Sequence, residues 1–379
     1  MLEISPGTGQ AMPQVGWLGK LLIWLRLDVK LLSGLMLLSL LGLVILYSAV
    51  GQNEAMLNRQ VIRLGLAFVV MLIAAQFRPH FLYLWSPWLY AAGLVALLLV
   101  ILVGDEGKGA QRWLDLGVIR FQPSEIMKLA TPMMMAWYFS RTPIPPRLSH
   151  LLIGLLIMGI PMLLIMLQPD LGTSLLVASA GFFCLFLAGI SFKVLLSGAA
   201  LTLIAAPLFW FFGMHAYQQQ RVLTFLNPES DPLGAGYHII QSKIAIGSGG
   251  MYGKGWLNGT QAHLEFLPER TTDFIFSVFG EEFGFFGGLV LLCLYLFIAL
   301  RGMRIALIAR TAYSQLLAGS IALTFFVYLV VNVGMVMGLL PVVGVPLPLI
   351  SYGGTSMVTL MAGFGILMSV YSNRRFMRR

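Results

Sequence analysis

Charge is scarce in this chain of 379 residues. Only 10% are Asp, Glu, Lys or Arg, against roughly 25% in soluble domains. Hydrophobic residues make up 58%, and mean hydropathy is +0.87. Those figures exclude a soluble enzyme, a disordered tail protein and a fibrous repeat. The apolar runs are continuous instead of alternating with polar residues, which excludes an outer-membrane barrel. Cysteine is also scarce: Cys184 and Cys293 lie inside apolar runs and read as packed thiols, not as a disulfide or metal pair. The five histidines lack metal-ligand spacing, with no H-E-x-x-H and no pair at i, i+4. No cleavable signal peptide is visible, because the apolar stretch 17–25 is short, contains Lys20 and lacks a small-residue cleavage site.

What remains is an all-α polytopic membrane protein. A span needs roughly 20 apolar residues, fewer inside a bundle. Ten are expected, near 31–50, 61–75, 82–103, 126–138, 151–167, 171–190, 194–212, 282–300, 320–340 and 357–371. Charge placement checks that count. With both termini cytoplasmic, the inner side holds 14 of the 24 basic residues but only Glu3 and Asp28 of the 15 acidic ones. The inner side is then net +12 and the outer side −3, the asymmetry that orients membrane proteins. The net charge of +9 therefore points to the membrane and not to nucleic acid. The whole chain, 1–379, reads as one integral membrane domain. Segment 1–30 is its cytoplasmic N-terminal piece, in which Trp17, Lys20, Trp24 and Arg26 suit a short interfacial helix. A large extracytoplasmic loop, 213–281, lies between the seventh and eighth spans.

Polar residues concentrate on the outer side. In Gln122-Pro-Ser-Glu-Ile-Met-Lys128, Pro123 and Ser124 mark a helix start. Glu125 and Lys128, at i, i+3, share one face, either as a packing ion pair or as the lining of a polar cavity. Asp170, in Gln168-Pro-Asp-Leu-Gly-Thr173, suits a helix cap or a site. Arg112 suits a phosphate contact or a headgroup anchor. The glycine run at 247–255 is either a set of tight turns or a backbone cradle for phosphate. The densest constellation is Glu265-Phe-Leu-Pro-Glu-Arg-Thr-Thr-Asp-Phe-Ile-Phe276. Asp273 sits where this stretch turns apolar, and a partly desolvated carboxylate there suits a general base. A helix cap or an acidic solvent-facing lip is the alternative.

At these residues the chain resembles the SEDS family (shape, elongation, division and sporulation proteins). The resemblance extends through Gln241-Ser-Lys-Ile-Ala-Ile-Gly-Ser-Gly-Gly250 and Gly280-Glu-Glu-Phe-Gly284. It continues through Asn332, Gly338-Leu-Leu-Pro341, Gly344-Val-Pro346 and Ser351-Tyr-Gly-Gly-Thr-Ser356. The blocks keep family order across about residues 28–372, and the wording Glu-Phe-Leu-Pro-Glu-Arg is closer to the elongation branch than to the division branch. One departure is Thr271-Thr272, where His-Thr is commoner. The resemblance implies ten helices and a peptidoglycan glycosyltransferase. Such an enzyme polymerises lipid II, a disaccharide-pentapeptide on undecaprenyl pyrophosphate, on the outer face of the bacterial inner membrane during elongation and rod-shape maintenance. Asp273 matches the family's essential aspartate.

That chemistry fits the residues. A pyrophosphate leaving group needs cations, for which Arg112, Lys128, Arg221, Lys243 and Arg270 are on the expected side. Glu125, Asp170, Glu269 and Ser351 complete the expected substrate-binding set. A divalent cation, Mg2+ or Mn2+, bridging Asp273 to phosphate oxygens would leave no histidine signature. The chain lacks Ser-x-x-Lys, Ser-Asp-Asn and Lys-Thr-Gly, so peptide crosslinking must come from elsewhere. With the resemblance, that implies a class B penicillin-binding protein as partner. The alternative function is a lipid II flippase, disfavoured because few ionisable groups fall near mid-membrane and no inverted repeat is visible.

Overall fold

The computed structural model describes residues 25–107, 110–115, 120–143, 145–214, 216–231, 234–263 and 269–376. The expected interfacial helix at 17–25 and Glu265 lie outside those residues, apart from Leu25. Three helices open the fold: α1 (Val29–Ala49), α2 (Glu54–Gln76) and α3 (Pro79–Val103). After a small sheet come α4 (Pro123–Phe139), α5 (Leu148–Leu167), α6 (Leu171–Leu187) and α7 (Phe192–Leu208), the last ending in a π turn (Phe209–Gly213). Between α7 and the next long helix lie α8 (Ala216–Leu226), α9 (Ala235–Gly249) and the single turn α10 (Thr260–His263). Three helices close the chain: α11 (Ile275–Leu307), α12 (Ala312–Val336) and α13 (Thr355–Phe376).

The starts follow local chemistry. Asp28 accepts from the Leu31 amide at 2.8 Å and Asn53 from the Met56 amide at 3.1 Å, capping α1 and α2. Pro79 and Pro123 occupy first-turn positions, where a missing N–H costs nothing. Eight helices among the described residues are long and apolar enough to cross a membrane. The two expected spans that fall short are α4 and α6, at 17 residues each.

One departure from an all-helical chain lies after α3. There β1 (Asp105–Gly107), β2 (Ala110–Asp115) and β3 (Arg120–Phe121) form a short antiparallel sheet in the order β1-β2-β3. A second concerns the segment 213–281, expected as a loop. It holds α8 and α9, and α9 packs onto α11 and α12. The pattern of α9 is weak in sequence because its apolar residues are diluted by Ser242, Lys243, Gly247 and Ser248.

The core centres on α12, which packs on α4, α6, α11 and α13. Its buried residues include Gly319, Ser320, Phe325, Tyr328 and Asn332. At the start of α1, the Arg301 guanidinium donates to both oxygens of the buried Asp28 carboxylate and lies over the Tyr371 ring, joining α1, α11 and α13. By contrast, α7 buries no residue at all.

Candidate active site

The site is built outward from a break in α11. At Gly284 the backbone leaves the helix (φ 64, ψ −161), a region open to glycine at little cost. The groups freed by the break find partners in the glycine-rich stretch after α9. Lys254 and Gly255 donate amides to the carbonyls of Glu281 and Glu282 at 3.0 Å each, while Phe285 and Phe286 donate to those of Gly250 and Met251. A Cβ at Gly253 would stand 2.1 Å from the Glu282 carbonyl oxygen. The glycine run is therefore engaged in splicing a broken helix, in the way that irregular backbone at membrane depth must satisfy its polar groups.

The Glu281 side chain completes the splice. It is fully buried. Its Oε1 accepts from Lys254 Nζ at 2.7 Å, the Thr260 amide at 2.9 Å and hydroxyl at 3.0 Å, and the Gln261 amide at 3.1 Å. Its neighbour Glu282 accepts the Ser48 hydroxyl of α1. Sequence reasoning gave neither glutamate a role. The available signal was two adjacent acids inside an apolar segment.

Before α11 the chain makes the turn that bears Asp273. Thr272 donates its hydroxyl to Glu269 Oε2 at 2.5 Å, and the Phe274 amide donates to the Glu269 carbonyl at 3.2 Å. Three further hydrogen bonds hold the turn from the stretch between α12 and α13 and from α12 itself. The Tyr352 amide donates to Thr271 O at 2.8 Å, Ser351 Oγ to Thr272 O at 2.6 Å, and Asn332 Nδ2 to Asp273 O at 2.9 Å. Asp273 and Arg270 are each half-buried. His238 of α9 lies against the Phe274 ring, with ring centroids 5.7 Å apart. Burial lowers its pKa, opposed by the charges of Glu269 and Asp231.

Beside this turn runs a cavity of about 620 Å³ between α2, α3, α4 and α13. Its polar lining is Arg63, Gln122, Glu125, Thr355 and Thr359; the rest is apolar, down to Phe77, Leu82 and Ile366. Leu66 and Ile126 of its wall are exposed. The cavity and the Asp273 turn share one stretch of chain: Tyr352, which bonds Thr271, lies under the Arg63 guanidinium at 4.7 Å, and Gly354 and Thr355 line the cavity. Glu125 Oε1 accepts from Lys128 Nζ at 2.7 Å with both side chains buried, and Glu125 Oε2 has no partner. Lys128 Nζ is 5.5 Å from the Tyr328 ring centre, one helical turn before Asn332 on α12.

The other expected residues fall into two places. Asp170 caps α6, accepting from the Thr173 amide and hydroxyl at 3.1 and 2.9 Å, and from Gln122 Nε2 at 3.2 Å. Arg112 holds the same turn, donating to Gln168 O and Pro169 O, with Nε 3.9 Å from Asp170. Arg221 of α8 donates to Val342 O at 3.1 Å, and Lys243 of α9 lies over Gly338. Both cations thus reach the stretch leading to Gly344, whose Cβ position is 3.5 Å from Asp273 Oδ2. Ser351 is buried, donating to Thr272 O and accepting from the Leu347 amide at 2.8 Å. Among the described residues no group of three or more His, Cys, Asp or Glu could hold a metal ion. A cation here would need Asp273 together with substrate oxygens.

The model of the cell cycle protein family that covers FtsW, RodA and SpoVE matches residues 26–376. The chain is a member of this SEDS family. Its relatives in the family include the peptidoglycan glycosyltransferase MrdB of Escherichia coli K12, 51% identical over 93% of this chain and 96% of that one. The RodA of Treponema pallidum, also named a peptidoglycan glycosyltransferase, is 31% identical over 90% and 97%. Two SEDS-like solved structures match the fold. One is a chain from a peptidoglycan synthase complex that coordinates polymerization and crosslinking, with TM-score 0.80, 32% identity and coverage of 92% and 98%. The other is the rod shape determining protein RodA of Thermus thermophilus, with TM-score 0.70, 31% identity and coverage of 93% and 98%.

Proposed function

We propose that this chain is a peptidoglycan glycosyltransferase that polymerises lipid II into β-1,4-linked glycan on the outer face of the bacterial inner membrane, in elongation and rod-shape maintenance. The observation that carries the reading is the shared stretch 351–355, which joins a mostly apolar cavity to the turn that bears Asp273. In this reading the polyprenyl chain runs along the apolar lining of the cavity, with its sugar toward Asp273. In this reading α4 and α6 make the ninth and tenth crossings, and both termini are cytoplasmic.

The acceptor's 4-hydroxyl attacks the donor's anomeric carbon, the bond from that carbon to the pyrophosphate oxygen breaks, and Asp273 takes the hydroxyl proton. Attack from the face opposite the leaving group inverts an α-linked donor to a β product. A positioned base contributes about 10²–10⁴-fold. Lys243, Arg221 and Arg270 supply positive charge for the departing pyrophosphate, and Arg112 with Asp170 shapes the outer rim. Bound Mg2+ or Mn2+ would neutralise pyrophosphate charge beside Asp273, so chelator should lower the rate and the added metal restore it. Glycan needs crosslinking, and the partner in this reading is a class B penicillin-binding protein.

Purified chain in detergent, given lipid II, should yield glycan ladders, with and without that partner. Detergent removes any meaning from flipping. No ladder in either case, alongside lipid II movement in sealed vesicles, would favour the flippase.

A further inference from the structure

The stretch 344–353 between α12 and α13 bonds backbone carbonyls of the Asp273 turn. Three successive carbonyls, those of Thr271, Thr272 and Asp273, are each taken by a different donor. Asn332 Nδ2 is bonded to two carbonyls at once, Asp273 O at 2.9 Å and Val345 O at 2.8 Å, so one amide pins the turn to the stretch that faces it. Ser351 does the same with its hydroxyl, donating to Thr272 O and accepting from the Leu347 amide.

That stretch is itself held from four helices. Gly42 of α1 approaches so closely that a Cβ there would be 2.4 Å from Leu349 O. Gln60 of α2 donates to Ser351 O at 3.3 Å and accepts from the Gly353 amide at 3.3 Å. Tyr295 of α11 donates to Pro348 O at 2.5 Å, and Asn332 belongs to α12. Leu349 keeps a positive φ of 61°, a strained state that persists where the surroundings over-determine it. A rigid element of this kind is what a catalytic group needs behind it, because a misplacement on the order of 1 Å can lower a rate about 10²-fold.

We infer that Ser351 and Asn332 are positioning residues: they fix the backbone of 272–273 and thereby aim the Asp273 carboxylate, which lies near Gly344. This rests on the reading of Asp273 as the base. It moves Ser351 from the substrate-binding set to a supporting place behind the turn.

The test is initial glycan synthesis at varied lipid II with purified full-length chain, separating kcat from KM, with thermal melting in the same detergent. Ser351→Ala should lower kcat about 10- to 100-fold, leave KM within about twofold and leave the melting transition cooperative. Ser351→Thr, which keeps the hydroxyl, should recover most of the lost kcat. Ser351→Ala with wild-type kcat overturns the inference, as does a loss that tracks falling melting temperature or rising KM. Should Ser351→Ala not fold, Asn332→Ala decides, since it withdraws the amide that donates to Asp273 O and Val345 O. A fall in kcat at constant KM supports aiming, and wild-type kcat overturns it. Activity retained in Asp273→Asn would instead sink the base assignment itself, so the two failures are distinguishable.

Discussion

Two acid-bearing regions, the cavity wall at Glu125 and the turn at Asp273, are treated by the protein in opposite ways. At Glu125 and Lys128 the side chains are buried and bonded to each other at 2.7 Å. At Asp273 the backbone is held from Asn332 and the carboxylate stays half-buried. Ionised groups buried together are stable only as a pair, so the first region sets charge and shape in the wall. The second holds the backbone of the turn that carries its carboxylate. Position and reactivity are thus assigned to different residues.

The comparison can be broken most forcefully at the pair. Glu125→Ala or Lys128→Ala alone leaves an uncompensated buried charge, which costs about 3–5 kcal/mol. Polymerisation should fall at least about 10-fold, the lower end of what a misplaced site loses. The double variant Glu125→Gln with Lys128→Met removes both charges. Melting curves should show recovered stability, while polymerisation stays low if the pair lines the working cavity. Recovery of both would make the pair structural only.

A smaller effect is expected at the splice. Glu281→Gln keeps the shape but withdraws the charge that Lys254 and Thr260 face. The loss should be about 1–3 kcal/mol, read by thermal melting, with a lesser fall in polymerisation than at Glu125. The smallest effect concerns His238. Its pKa is lowered in the fold by burial, so below the ordinary histidine value the unfolded chain takes a proton that the folded one refuses. Stability should fall as pH drops through about 6.5, and His238→Gln should flatten that slope.

Hydropathy made the membrane spans legible but not their packing. Helices α7 and α12 have similar hydropathy, 2.0 and 2.2, yet 0% and 72% of their spans are buried. The difference lies in where polar groups bond. Ser197 and Thr202 of α7 donate back to their own helix at Val194 O and Gly198 O, while Ser320 of α12 reaches Ala180 O on α6 and Asn332 reaches the Asp273 turn. A serine in sequence does not say which it will do. The helix start at Pro123 and the shared face of Glu125 and Lys128 were readable because both follow from local spacing. The splice at Gly284 was not, since its partners lie about 30 residues earlier. Ser351 could be picked out as a motif residue, but its bond to Thr272 spans 79 positions.

The most direct test of the central claim is Asp273→Asn, purified and assayed with lipid II beside the wild type. The substitution keeps shape and removes basicity and charge. The account predicts a protein that folds, melts cooperatively and binds a polyprenyl pyrophosphate probe as the wild type does, yet makes no glycan ladder. Retention of more than about a tenth of the wild-type rate, a smaller loss than removing a base should cause, would contradict it.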